Sequence, residues 1–297
     1  STRAPATSFN IMMISDMHLA ATYPLVRDYV RNFGVSLIIN TGDESQFGTA
    51  AEITPTYRAE IESVTRLAPM LWVAGNHDSP VTEAIMAGIP GVYVLGSKTG
   101  TGSGYEVALG SLRAYGLRIG GVPDPRVYGA AGLFGSDVDA ETDKLEQAAI
   151  DSAVAGLPRD EKFDILMTHE PAAAAQLIKD LPGRVRQVNS GHTHHQNPSR
   201  EIQAGPVIDL VEGSTGAGGL KEVGVDYKPA PIQFSIESVA ADCQFTKVVR
   251  FQIAAGSAAD VAAGAGDVTA STIYLAPQQV ADGRTCTTAE GIQTPGP

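Results

Sequence analysis

The sequence is poor in several residue types, and each shortage excludes a class of protein. It has two cysteines, too few for a metal-thiolate site. No apolar run approaches the ~20 residues that a transmembrane helix needs. The 21 Lys and Arg residues are scattered, without the basic stripe that duplex nucleic acid or anionic lipid requires. We therefore expect no binding to duplex nucleic acid, and membrane attachment only through an anchor preceding Ser1.

What the sequence does contain is enough apolar material for one large domain. Hydrophobic residues make up 43% of the 297 residues, and the net charge is −12. The first residues read as a linker, and after about residue 255 the chain turns to Ala, Gly, Ser and Thr. We predict a linker over 1–8, a main domain over 9–254 and a loosely packed extension over 255–297.

Five apolar runs of strand character each end in a short polar cluster. The runs cover 10–14, 36–39, 70–73, 164–167 and 186–188, and helical periodicity appears over 22–33, 56–67, 141–155 and 172–180. Strands that alternate with helices predict βαβ units and an α/β fold. Residues 92–122 read as a β-meander, and 206–212 and 231–253 read as further strands, which we assign to a second sheet.

All six histidines lie in these polar clusters: His18, His77, His169, His192, His194 and His195. Ligands of an open α/β sheet gather at the carboxyl ends of its strands, so nitrogen and oxygen donors there indicate a metal centre. Seven side chains qualify as ligands: Asp16, His18, Asp43, Asn76, His169, His192 and His194. Seven exceed the needs of one ion and suit two divalent ions that share a carboxylate. The resulting positive pocket favours phosphate.

Five short motifs of the sequence resemble, in the same order, those of the calcineurin-like metallophosphoesterases. They are Asp16-x-His18, Gly42-Asp43, Gly75-Asn76-His77-Asp78, His169 and Gly191-His192-Thr193-His194. The resemblance implies two mixed β-sheets packed face to face and flanked by helices. It also implies that Asp16, His18, Asp43 and His194 hold one metal. Asp43, as the bridge, would join Asn76, His169 and His192 on the other. Mn, Fe, Zn, Co or Ni would fit such donors, with Mn favoured.

The activity that the resemblance implies is hydrolysis of a small phosphate ester by a hydroxide bridging the metals, with His77 as the catalytic histidine and Asn76 near the phosphate. A phosphodiesterase is the first expectation and a phosphomonoesterase the second. A third hypothesis is a catalytically silent binding module. The second motif continues as Glu44-Ser45-Gln46 and the third ends in Asp78, which argues against a Ser/Thr protein phosphatase. The sequence leaves the oligomeric state open.

Several other residues have two readings. Arg126 either reaches a substrate phosphate or fixes its loop to an acidic neighbour. Asp78 either caps the helix that follows or orients a neighbour. Glu170 either caps the helix that follows or supports the ligands of the site from behind, and we favour the cap. His195 is expected at the pocket rim or in solvent, and the Gly-rich run 213–219 in a flexible loop near the site.

Cys243 and Cys286 are either two unrelated buried thiols or a disulfide that closes a C-terminal loop. The absent start methionine, the Pro/Thr-rich beginning and the potential disulfide together predict a secreted or membrane-tethered protein outside the cytoplasm. Substrate choice is expected to depend on the loops 97–104 and 213–224.

Overall fold

The computed structural model describes residues 5–102, 104–219, 230–254 and 266–295. The strands are β1 (Thr7–Ile14), β2 (Val35–Asn40), β3 (Met70–Trp72), β4 (Val92–Val94), β5 (Ser97–Thr101), β6 (Gly104–Ala108), β7 (Gly110–Ala114), β8 (Leu117–Gly121), β9 (Phe163–Met167), β10 (Val185–Ser190), β11 (Ile208–Val211), β12 (Ile232–Ala240), β13 (Phe245–Ala254), β14 (Asp267–Tyr274) and β15 (Ile292–Gln293). The α-helices are α1 (Tyr23–Asn32), α2 (Pro55–Thr65), α3 (Pro80–Ala87), α4 (Asp139–Val154), α5 (Pro171–Asp180) and α6 (Ser199–Ile202).

Most strands belong to two large mixed sheets. The first sheet has the order β14-β13-β12-β1-β2-β3-β4, and the second has the order β11-β10-β9-β8-β7-β15. Within the first, β1 to β4 run parallel and β12 to β14 antiparallel; within the second, β8 to β11 run parallel. Strands β5 and β6 form a separate hairpin.

Three apolar cores hold four layers together. In β1, Ile11 and Met13 face the second sheet, whereas Met12 and Ile14 face the helices α1 and α2, because successive strand side chains point to opposite faces. On the far side of the second sheet, α4 and α5 pack over strands β9 and β10. The fold is therefore the expected pair of face-to-face mixed sheets flanked by helices.

The expected strands and helices that lead into the five polar clusters are confirmed, and residues 92–122 do form short strands. These strands are not one meander, because β4 joins the first sheet, β5 and β6 pair with each other, and β7 and β8 join the second sheet. The assignment of 231–253 to a second sheet is wrong. Strand β12 pairs antiparallel with β1 along Phe9↔Val239 to Met13↔Ser235, so β12 and β13 extend the first sheet. Both faces of β12 are buried although Gln233, Ser235 and Glu237 alternate with apolar residues, so the alternation predicts a strand but does not reveal its partner.

The chain after residue 255 reaches both sheets. Strand β14 adds an edge to the first sheet and β15 adds an edge to the second. Cys243 and Cys286 form a disulfide with their Cα atoms 5.0 Å apart, which settles the two readings of these cysteines. The domain boundaries at 8/9 and 254/255 stay predictions. Within the described residues, the structure contains no helix with the length and apolarity to cross a bilayer.

Candidate metal centre

The predicted ligands follow the carboxyl ends of five strands from both sheets. Asp16 and His18 follow β1, Asp43 follows β2, Asn76 follows β3, His169 follows β9, and His192 and His194 follow β10. Because parallel strands end at the same edge, the face-to-face sheets bring the seven side chains to one place. The two sheets contribute to the same site, so neither alone can form it.

The backbone at these strand ends is unusual. Five of the seven predicted ligands have a positive φ, between 44° and 70°: Asp16, His18, Asp43, His192 and His194. This left-handed region is uncommon for non-glycine residues. Such strain persists where surrounding structure enforces it, and it clusters at functional sites.

Two motif glycines are required by close approach. A Cβ at Gly75 would lie 2.1 Å from Asp43 Oδ1, and a Cβ at Gly191 would lie 2.0 Å from Ser15 Oγ and 2.6 Å from Asp16 Oδ2. Any larger residue at either position would push a predicted ligand away. The glycines before Asn76 and His192 therefore have a steric cause.

Asp16, His18 and His194 form the first group of donor atoms, all within 4.8 Å of one another. His18 Nε2 lies 3.2 Å from His194 Nε2, and Asp16 Oδ1 lies 3.4 Å from His194 Nε2. Asp16 Oδ2 is occupied, because it accepts from Ser15 Oγ and from the backbone N–H of His192. Oδ1 is thus the oxygen that faces the histidines.

Asp43, His169 and His192 form the second group, again within 4.8 Å. Asp43 Oδ2 lies 3.1 Å from His169 Nε2 and 3.5 Å from His18 Nε2, so this one oxygen stands between the two groups. Asp43 Oδ1 is fixed by the backbone N–H of His77 at 2.9 Å. The geometry is the one that a bridging carboxylate requires.

Four nitrogen or oxygen atoms of the predicted ligands are buried and, within the described residues, have no hydrogen-bond partner: Asp16 Oδ1, His18 Nδ1, Asn76 Oδ1 and His169 Nε2. Buried polar atoms without a partner are costly and call for an explanation such as an ion. His169 Nδ1 lies 2.8 Å from the carbonyl of Thr41, which can only accept, so Nδ1 donates and Nε2, which faces Asp43, is the nitrogen that can bind an ion. These residues therefore fit divalent cations.

The carboxylates of the site favour their charged form. Burial would raise the pKa of Asp16, but the nearby imidazoles of His18 and His194 outweigh burial and hold that pKa well below its usual range. Burial opposes ionisation of Asp43 too, and the charges of His169 and His77 lower its pKa well below the ordinary value. Both groups can thus act as anionic ligands.

His77 lies beside the two groups, with its ring centroid 5.0 Å from that of His18. Its Nδ1 is 2.7 Å from the carbonyl of Gln46, so Nδ1 donates and Nε2 is the atom that can exchange a proton. Burial lowers the pKa of His77, although the nearby Asp43 opposes this shift. His77 is therefore placed to touch a reacting group without joining the ligand groups.

Comparison with known proteins agrees with this geometry. The sequence model of calcineurin-like phosphoesterases matches residues 9–196, which include all seven predicted ligands and His77. The chain belongs to the calcineurin-like phosphoesterase family. Membership supports a metal-dependent phosphoester hydrolase that acts on small molecules, and the two donor groups match the dinuclear centre that is typical of this family. A search of curated sequences finds no significant match.

Solved structures with a similar fold include several relatives at low identity. The GAP50 anchor in the inner membrane complex of Plasmodium is 10% identical, with a TM-score of 0.47 over 92% of this chain and 91% of that one. Vps29 of Chaetomium thermophilum is 14% identical, with a TM-score of 0.42 over 93% and 100%. The purple acid phosphatase PPD1 of yellow lupin (Lupinus luteus) seeds is 12% identical, with a TM-score of 0.43 over 91% and 55%. Likenesses this weak carry no argument about function.

In this phosphoesterase, Asp78 orients a neighbouring loop. Its carboxylate accepts from the backbone N–H groups of Asp43, Glu44, Ser45 and Gly75, at 2.8 to 3.0 Å. Of the two readings of Asp78, the cap is wrong, because the Ser79 side chain caps α3, and the orienting role is confirmed. Asp78 fixes the backbone of the second motif and thereby the position of Asp43.

Arg126 is buried among carboxylates. Its guanidinium contacts Asp124 at 2.8 Å, Glu146 at 2.9 Å and Glu170 at 2.7 Å, and it is 0% exposed. The geometry favours the reading of Arg126 as a loop anchor over contact with a substrate phosphate, because its nitrogens already face acidic partners. Glu170 directly precedes α5, but its side chain makes no capping bond and accepts from Arg126 instead, so the favoured cap reading is wrong.

Lys98 is a site-supporting residue that the motifs do not reveal. It is 1% exposed, and its Nζ donates to the carbonyls of Gly75, Asp78 and Arg126 at 2.7 to 2.8 Å. The first two carbonyls flank Asn76 and His77. No local sequence signal could have identified Lys98, because its partners lie 20 to 28 residues away.

Two further acids reach the site from the segment before α4 and its first residue. Asp137 Oδ1 accepts from Asn76 Nδ2 at 2.9 Å and lies 3.8 Å from His77 Nε2. Asp139 Oδ1 lies 2.8 Å from His192 Nε2. Sequence reasoning missed both, since they stand in no motif.

The Gly-rich run 213–219 lies beside the site, as expected, but it is buried and tied down rather than free. Ser214 Oγ donates to the carbonyl of Asp16, and a Cβ at Gly219 would lie 2.1 Å from His18 Cβ. His195 is exposed, in agreement with its expected place. Of the loop 213–224, residues 220–224 lie outside the described part. The 97–104 region is the β5–β6 hairpin.

Proposed function

We propose that the protein is a dinuclear metal-dependent phosphodiesterase acting on a small phosphate ester. The observation that carries this proposal is the convergence of six donor side chains from both sheets in two groups, with buried, unpartnered donor atoms among the predicted ligands. Asp16, His18, Asp43 and His194 would hold one ion. Asp43, Asn76, His169 and His192 would hold the other. When bound, two divalent ions would activate a water molecule as the nucleophile and stabilise negative charge on the phosphoryl oxygens.

The protein's own groups would complete the reaction. In its protonated form, His77 would donate the Nε2 proton to the leaving oxygen as general acid, while Nδ1 keeps its bond to the Gln46 carbonyl. The Asn76 amide would lie beside the phosphoryl oxygens, and the Lys98 bonds on both sides hold the loop that carries it. A fixed loop matters because catalytic groups act only within a narrow range of positions.

A diester is favoured over a monoester by charge. At neutral pH a monoester carries close to two negative charges and a diester carries one. Asp137 and Asp139 place two carboxylates against Asn76 and His192, close to where the phosphoryl group would bind. Their repulsion weakens binding of a dianion more than binding of a monoanion. A phosphomonoesterase remains the second candidate, whereas a silent module is disfavoured because every ligand position and His77 is filled.

Manganese is our proposed metal, supported by the mixed carboxylate, amide and imidazole donors. We also propose a location outside the cytoplasm. The Cys243–Cys286 disulfide supports it, because disulfides persist in oxidising compartments.

The test compares a chromogenic phosphate diester with its matching monoester, with Mn²⁺ and then with chelator. We expect turnover of the diester that chelator abolishes. Preference for the monoester would move the assignment to a monoesterase, and no turnover with metal bound would refute the enzymatic proposal. His77→Ala should retain both metal ions and lose most turnover, whereas full activity would remove His77 from the reaction.

A further inference from the structure

A row of four rings leads from the metal-ligand groups to the surface. The ring centroid of His77 lies 5.0 Å from that of His18 and 4.6 Å from that of Tyr128, and Tyr128 lies 6.0 Å from Phe47. Exposure rises along the row: His18 is 1% exposed, His77 2% and Phe47 59%, with Tyr128 half-buried. The row therefore connects the reacting centre to solvent.

The exposed end of the row is held in place by hydrogen bonds. The backbone N–H of Phe47 donates to both carboxylate oxygens of Glu52, at 2.7 and 3.1 Å. On either side of Phe47, the carbonyl of Gln46 accepts from His77 Nδ1 and that of Gly48 accepts from Ser79 Oγ. A large apolar ring thus stands in solvent on a loop that is fixed at three consecutive residues.

Tyr128 is tied to the same centre by its backbone. Its N–H donates to the carbonyl of Asn76 at 2.7 Å. Its ring covers His77 at a tilt of 32°, and Phe47 follows at a tilt of 35°. Rings at such shallow angles are close to a stacked arrangement, whereas an aromatic cage for a cationic group needs rings that are steeply inclined to one another.

We propose that Phe47 and Tyr128 form a subsite for a flat aromatic group on the leaving-group side of the ester. This inference rests on the proposed function and adds the class of substrate. The leaving-group side follows because the row begins at His77, whose Nε2 would protonate the leaving oxygen. A flat group stacked on Phe47 would bury the apolar surface that the fixed loop now exposes. A nucleobase and a simple aryl group share this chemistry.

The test measures binding to the metal-loaded protein by calorimetry, with phosphonates in which a methylene replaces the bridging oxygen so that they are not hydrolysed. The four ligands carry adenosine, ribose, benzyl or choline groups. We expect the adenosine ligand to bind about tenfold more tightly than the ribose ligand, the gain typical of one base stacked on one aromatic ring. An equal gain for benzyl would indicate any aryl group, and a gain for adenosine alone would indicate a nucleoside.

Phe47→Ala should bring the ratio of the adenosine and ribose dissociation constants close to one, and Phe47→Trp should retain it. The matched control is Leu67→Ala, since Leu67 is 44% exposed and lies before β3, at the end of that strand opposite the site. Three results would each overturn the subsite. They are a ratio near one in the unmodified protein, a ratio that Phe47→Ala leaves unchanged, and tightest binding of the choline ligand.

The outcomes separate this inference from the proposed function. Aromatic preference without turnover of any diester would leave the subsite standing and refute the enzymatic proposal. Diester turnover without aromatic preference would refute the subsite alone. If both are absent, both proposals fail.

Discussion

Replacing Lys98 with methionine tests how strongly the site depends on a residue outside every motif. Methionine has nearly the same length but no donors, so Lys98→Met removes three hydrogen bonds and keeps most of the apolar stem. The lost bonds are those to the carbonyls of Gly75, Asp78 and Arg126. Burial lowers the pKa of Lys98, although the charges of Asp124 and Asp78 oppose that shift.

The size of the effect follows from the partners. The carbonyl of Gly75 keeps the N–H of Asp78 at 3.3 Å, so two carbonyls lose their donor. Each buried carbonyl without a partner costs about 1 to 3 kcal/mol, or about 2 to 6 kcal/mol for two. Part of this loss is offset, because the methionine variant no longer has to bury a charged ammonium group away from water. We expect a net loss of about 2 kcal/mol in the free energy of unfolding, which lowers Tm by roughly 4 °C.

Function should suffer more than stability. Two of the carbonyls flank Asn76 and His77, and a shift of about 1 Å in a catalytic group can cost about a hundredfold in rate. The assay is metal affinity and diester turnover, both measured well below Tm. We expect a loss of about tenfold or more in each. Lys162→Met is the control, because Lys162 is exposed. Unchanged metal affinity and an unchanged Tm in Lys98→Met would refute the reasoning.

Three further predictions concern the bridge, the disulfide and one buried acid. Asp43→Asn should lower the occupancy of both ions after dialysis, because Asp43 Oδ2 faces both groups; loss of one ion alone would contradict the bridge. Reduction of Cys243–Cys286, which spans 43 residues, should lower the free energy of unfolding by about 4 kcal/mol, with the double serine variant insensitive to reductant. Burial raises the pKa of Glu237 to about 8, so its folded-state proton stabilises the protein below the unfolded pKa, and this stabilisation is lost as pH rises through 8. Urea unfolding at about pH 5 and about pH 9 should therefore show that the free energy of unfolding of Glu237→Gln rises by roughly 3 to 5 kcal/mol relative to the parent at the higher pH. The same change in the free energy of unfolding between the two pH values in both proteins would contradict the shift.

The sequence predicted the strand ends well because their signals are local. An apolar run, a glycine and a short polar cluster stand within a few residues of one another, as in Gly75-Asn76-His77-Asp78. The structure explains this compactness, since the close approaches of Gly75 to Asp43 and of Gly191 to Asp16 forbid a side chain. The position of each ligand thus requires a glycine at the point of closest approach, so glycine and ligand occur together as a recognisable sequence pattern.

The failures have the opposite cause. Nothing near residues 231–253 states that β12 pairs with β1, which lies more than two hundred residues earlier. Asp78 and Glu170 each lie close before a helix, a position at which an acidic side chain commonly caps the helix. Both carboxylates instead reach partners that the fold brings close, the N–H groups of the second motif and Arg126.

The contrast between local signals and contacts that the fold creates also separates the ligands from the residues that hold them in place. Ligands must have particular donor atoms at particular strand ends, so their identities persist as motifs. A supporting residue needs only to reach a carbonyl or cover a ring, and Lys98 and Tyr128 do so from a hairpin and a loop. Such contacts have no fixed spacing, since any element that packs against the third motif could supply them. Substrate preference should therefore depend more on residues like Phe47 and Tyr128 than on the motifs, which explains why the sequence indicates the chemistry more clearly than the substrate.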